Sequence, residues 1–75
     1  MSQIARIKAA LLDGESLTPI DALARFGCFR LGARIYDLRQ AGLPIESERH
    51  QVDAETTVAR YSMTPEARKA ARGAV

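Results

Sequence analysis

A mainly α-helical fold with one β-hairpin is what the sequence predicts: a three-helix core, two strands and a short C-terminal helix. Three observations carry this. Thr18-Pro19 with Asp21, and Thr64-Pro65-Glu66, repeat one helix-start signal of cap, proline and acid. Leu31, Ile35 and Leu38 recur at i, i+4 and i+7, the spacing of a single buried helical stripe. Beyond Gly42 the helical period stops, and "PIESERHQV" and "TTVARYSM" read as strands around the turn "DAE".

The elements follow in order. Ile4, Ile7, Ala10 or Leu11, and Leu12 give a first helix over residues 3–13, with Gly14 as its stop. "ESL" is long enough only for a connector or a bridging strand. The second helix runs from Pro19 to about Phe26, with Ile20, Leu23 and Ala24 on its apolar face, and Gly27 ends it. The third starts near Cys28 or Phe29 and ends at Ala41, before Gly42. Its stripe is expected to meet Ile7, Leu11, Ile20, Leu23, Ile45 and Tyr61. The last helix offers only alanines to a core, so a short, weakly held or frayed element is expected. The chain divides as residues 1–14, 18–42, 43–63 and 64–75 of one domain.

Composition narrows the function. Seventy-five residues suffice for one small domain with a lean core. Cys28 alone cannot form an internal disulfide, and it reads as a small buried residue. Cys28 and His50 are too few ligands for zinc, and His50 reads as an exposed strand residue. No Ser–His–Asp set, pocketed carboxylate pair or glycine-rich phosphate loop is present. An enzyme, a cofactor and a small-molecule substrate are therefore not expected. Arg6 and Lys8 interrupt the N-terminal apolar run, so neither a signal peptide nor a membrane span is read there. A cytoplasmic protein is expected.

Net charge is only +2, but it is arranged in blocks. Residues 25–40 sum to +3 through Arg25, Arg30, Arg34 and Arg39 against Asp37. Residues 46–55 sum to −3, and the stretch from Arg60 onward to +3. Helix, helix, tight turn, arginine-bearing helix and hairpin is the plan of a winged helix-turn-helix, whose third helix lies in the DNA major groove. Arginine suits that position because its fork matches guanine O6 and N7. Gly32 and Ala33 are small where a helix backbone must come close to DNA. Projected at about 100° per residue, the face opposite the stripe carries Phe29, Ala33, Tyr36 and Gln40, with Arg30 and Asp37 to one side.

These residues also carry a family resemblance. "LTPIDALARFGCFRLGARIYDLRQAGLPIESE", followed by "VARYSMT", resembles the small helix-turn-helix family common in bacteriophage and prophage genomes. The run "RLGARIYDLR" is its most specific part. Met63 stands where leucine is usual, and Gly32 where alanine or serine is commoner. The resemblance implies a winged-helix fold and binding to double-stranded DNA, as a transcriptional regulator or an architectural factor in excision or replication. A bacterial host cytoplasm, with nucleoid association when bound to DNA, would be its setting.

Arg30, Ala33, Arg34, Asp37 and Gln40 are the base-facing candidates. Arg25, Arg39 and Arg60 are phosphate candidates, and Arg68, Lys69 and Arg72 form a basic tail. Phe29 either contacts sugar or a thymine methyl, or tucks against the second helix as core. Tyr36 is either core edge or a phosphate contact. Arg34 has a local alternative in Asp37 at i+3. A rival function is protein docking through the acidic hairpin or the Phe29 face. A homodimer, or a host or phage protein, is the further partner class left open.

Overall fold

The computed structural model describes residues 2–73. The end of the expected C-terminal element, residues 74–75, lies outside them. The order is α1 (Gln3–Leu12), α2 (Pro19–Phe26), α3 (Leu31–Gln40), β1 (Glu46–Gln51), β2 (Thr57–Ser62) and α4 (Pro65–Gly73). The fold is a three-helix core with a two-stranded antiparallel wing.

Local chemistry sets the helix ends. Ser2 caps α1, its side chain accepting from the Ala5 N–H. At the other end, Glu15 N–H bonds Ala10 O while Gly14 N–H bonds Leu11 O. This crossed pair requires the left-handed backbone that Gly14 adopts at φ 95°. Gly42 closes α3 the same way, with Leu43 N–H on Leu38 O and its own N–H on Arg39 O.

α3 begins two to three residues later than the sequence suggested. Gly27 is left-handed at φ 66°, and the Cys28 N–H turns back onto Ala22 O. Arg30 is the N-cap, at φ −126° and ψ 65°, and its carbonyl accepts from Ala33 and Arg34. Residues 28–30 are thus spent on the turn between the helices.

Ile7, Ala10, Leu11, Leu17, Ala22, Cys28, Leu31, Ile35, Leu38, Ile45 and Met63 are buried as one cluster. The α3 stripe, Ile7, Leu11 and Ile45 sit where the sequence placed them, and Tyr61 packs half-buried against them. The inner face of α2 does not. Ile20 and Leu23 are 60% and 45% exposed, whereas Ala22 is fully buried. A methyl at the contact lets this eight-residue helix lie close to its neighbours, which an isoleucine or leucine there would prevent.

β1 pairs with β2 in a register that sets Glu48 against Arg60 and His50 against Val58. His50 is half-buried rather than exposed. Leu17 bridges Tyr61 with reciprocal N–H···O bonds of 2.8 Å, so "ESL" does contribute a bridging residue. At the tip, Asp53 Oδ1 accepts from the N–H groups of Glu55 and Thr56 at 2.9 and 2.8 Å. α4 is helical over all nine residues and rests on the core through Ala67 and Ala71.

Candidate nucleic-acid interface

The residues that orient α3 lie at its two ends. Thr18 and Asp21 exchange capping-box hydrogen bonds at the start of α2, Thr18 Oγ1 accepting at 3.2 Å and Asp21 Oδ2 at 3.0 Å. At the far end of α2, two α1 side chains take its last carbonyls. Gln3 Nε2 donates to Phe26 O at 3.2 Å, and Arg6 Nη2 to Arg25 O at 3.4 Å. The Arg6 and Arg25 guanidinium groups lie 5.3 and 5.0 Å from the Phe26 ring centre, within cation–π range. The turn leading into α3 is therefore held from α1. Sequence reasoning missed Gln3 and Arg6 in this role. Their only signal was a polar position on an amphipathic helix, which most such helices share. The C-terminal end of α3 is tied to the wing, because Arg39 bonds the Ile45 carbonyl.

Between those ends, α3 buries Leu31, Ile35 and Leu38 and opens the opposite face. Ala33 and Gln40 project opposite the buried stripe, flanked by Tyr36 and Asp37, and all four are exposed. Tyr36 is 60% exposed and Phe29 is 86% exposed. That value removes the alternative in which Phe29 is core against α2. Gly32 has room for a small side chain. A Cβ there would meet only the Tyr61 hydroxyl, at an ordinary 3.7 Å.

The arginines divide by what they touch. Arg25 pairs with Glu15 at 2.6 Å. That hydrogen bond holds the Glu15 carboxyl below its usual range and raises the Arg25 pKa. Arg34 pairs with Asp37 at 3.3 Å, the local alternative read from the sequence. Arg60 bonds Glu48 across the hairpin, with its Nε at 2.9 Å. Arg72 donates to Leu12 O at the end of α1 and lies 3.9 Å from Asp13. Arg68 packs against Gly14, its Nε buried without a partner among the described residues. So Arg68 and Arg72 hold α4 to the C-terminal end of α1 rather than extending as a tail. Arg30 and Lys69 are exposed and make no ion pair or side-chain hydrogen bond among the described residues, as do Lys8 and Arg49. Lys8 and Arg49 were not singled out by sequence, although their charge alone marks them.

Elsewhere the surface offers little chemistry. Among the described residues, no three His, Cys, Asp or Glu side chains come together to hold a metal ion. No helix among them is long and apolar enough to cross a membrane. Cys28 is buried and free.

The winged helix-turn-helix domain family matches residues 2–66, from the start of α1 through the hairpin to the first turn of α4. No curated protein and no solved structure matches the chain.

Proposed function

Because the chain belongs to the winged helix-turn-helix domain family, we propose that it binds double-stranded DNA with α3 in the major groove. The observation that carries this reading is the open face of α3. Ala33, Tyr36 and Gln40 are exposed opposite a buried stripe, and the turn that leads into the helix exposes Phe29 and Arg30, the latter with no ion pair among the described residues. A helix whose outer face bears small and hydrogen-bonding groups can approach base edges closely, and a free guanidinium at its N-cap can pair with guanine. Binding of this kind acts by occupancy, and no catalysis is ascribed to the protein. The role proposed is that of a transcriptional regulator or an architectural factor of a phage or prophage, working in the bacterial cytoplasm, on the resemblance carried by "RLGARIYDLR".

Duplex DNA binding measured at 50 and 150 mM salt tests the reading. Arg30→Ala should lose about 1–3 kcal/mol on a selected site and relax specificity at one base pair. Lys69→Ala should weaken all sequences alike and lower the salt slope by about 1. Equal binding by Arg30→Ala and the parent would remove Arg30 as a reader.

A second reading, protein docking, draws on two observations. The segment of the hairpin from Glu46 to Glu55 carries −3. Ile20, Leu23 and Phe29 expose apolar surface without a partner. Absence of binding to any duplex at 50 mM salt selects this reading.

A further inference from the structure

We propose that the target is A·T-rich at its centre, with a thymine methyl met by Ala33 and adenine by Gln40, while Phe29 and Arg30, in the turn before α3, meet a thymine methyl and a guanine at one flank. The proposal rests on the DNA-binding reading above and names the class of sequence that the site takes.

The argument starts from what stands at the centre of the open face. Ala33 and Gln40 point directly away from the buried stripe, and neither is a cation. From Ala33 to Gln40 the helix advances about 10 Å, the rise of about three base pairs. The side chains that read a G·C pair are arginine or lysine for guanine O6 and N7, and a carboxylate for the cytosine amino group. On α3 those groups neutralise each other or serve the fold. Arg34 and Asp37 pair at 3.3 Å on one flank. Arg39, on the other, spends its fork on the Ile45 carbonyl. The Arg34–Asp37 pair is weak, since exposed i,i+3 pairs contribute only a few tenths of a kcal/mol. Position therefore decides more than pairing, and the centre of the face carries no G·C reader.

What the centre does carry matches A·T. Glutamine can make two hydrogen bonds to adenine N6 and N7. Alanine and phenylalanine are apolar partners for the thymine C5 methyl, a group that no other base pair presents in the major groove. Phe29 is 86% exposed at the start of the reading segment, where water solvates it poorly. A methyl group on the DNA would cover part of that ring. Arg30 lies at the N-cap, one end of the face, so its guanine contact falls at the edge of the core.

The test is a selection from a randomised duplex library, followed by replacement of thymine with deoxyuridine in the selected duplex. That replacement removes only the methyl and keeps the pairing. An enriched A·T core of about three base pairs is expected. Deoxyuridine should weaken binding about four-fold per contacted methyl, the transfer value of one buried carbon. At the thymine that Phe29 meets, Phe29→Ala should bring the thymine-to-uracil ratio toward one and leave it unchanged at the Ala33 thymine, while its thermal melting stays that of the parent, because Phe29 supports no packing. A G·C core, a parent ratio of one, or a ratio at the Phe29 thymine that survives Phe29→Ala overturns the proposal while leaving DNA binding intact. Failure to bind any duplex at 50 mM salt overturns both.

Discussion

Arg39 donates twice to a single acceptor, the carbonyl oxygen of Ile45, from Nε at 3.0 Å and Nη2 at 2.8 Å. The bond joins the last turn of α3 to the residue before the wing, so it sets the angle between them. A guanidinium has the fork for this and an ammonium does not. Arg39→Ala should lower the free energy of unfolding by about 1.5–3 kcal/mol, the range for hydrogen bonds to charged groups, and Arg39→Lys should restore only part. Urea denaturation at constant slope reads both. An unchanged midpoint in Arg39→Ala would return this residue to phosphate contact.

The inner and outer faces of α2 and α3 predict opposite responses to truncation. Leu31→Ala and Leu38→Ala each empty a buried site and should cost about 2–5 kcal/mol, which a domain this small cannot spare. Ile20→Ala and Leu23→Ala remove exposed carbon and should stay within about 0.5 kcal/mol. Thermal melting distinguishes them. A large loss at Ile20 would mean that a partner or a second copy covers α2.

These faces also show how far the sequence can be read. Thr18, Pro19 and Asp21 announced α2, since a cap acts through residues next to it in the chain. Leu31, Ile35 and Leu38 announced the α3 stripe, since ten residues are enough to show a helical period. Eight residues were not enough for α2, because Ile20, Leu23 and Ala24 make one apolar face and Ala22 with Phe26 another. Only packing chooses between them, and it chose the methyl. The Phe29 alternatives stayed open for the same reason, until the turn at residues 28–30 turned its ring outward. The partners of Arg25 and Arg39 depend on how distant segments meet, which no local spacing encodes. Glu48 opposite Arg60 was more accessible, because a hairpin's turn fixes its register.

Gly32 sits in the first turn of α3 with no internal contact that forbids a side chain. Glycine inside a helix costs about 1 kcal/mol relative to alanine. Gly32→Ala should therefore raise stability by up to that amount, seen as a higher melting temperature. If the same variant also binds DNA more weakly than the parent, the helix backbone approaches the DNA at this point. Equal DNA binding would place Gly32 off the contact.

Acid should loosen the fold in a predictable window. Hydrogen bonds from Arg25 hold Glu15 low, and those from the Glu55 N–H and Thr56 hold Asp53 low. Each carboxyl is more acidic folded than unfolded, so in acid the unfolded chain binds the extra proton, and stability rises with pH there. The contribution is complete above the unfolded values, near 4, and is lost as pH falls through the lower folded ones. Asp53 is exposed and the Glu15 side chain is 42% exposed, so the effect is small. In melting against pH, Glu15→Gln should show a slightly lower plateau near neutrality and a shallower acid limb, converging with the parent in strong acid. NMR titration of Asp53 should give a midpoint below that of a free aspartate. A midpoint at or above it would mean that the Asp53 turn does not persist in solution.

The wing should stay off the DNA. Its segment from Glu46 to Glu55 sums to −3, and carboxylates beside phosphates are repelled. The one arginine of β2, Arg60, is already engaged by Glu48. The test must change charge without disturbing the fold, which rules out Glu48 as the partner of Arg60 and Asp53 as the cap of the tip. Glu46 and Glu55 meet that condition, being exposed and without a side-chain partner among the described residues. Glu46→Gln with Glu55→Gln should leave DNA affinity nearly unchanged at 150 mM salt, where the screening length is about 8 Å. A rise for all sequences, growing as salt is lowered, would bring the wing to the phosphates as a repulsive element that restrains non-specific binding. A fall would contradict both arrangements and would make one of these carboxylates an acceptor for a cytosine amino group.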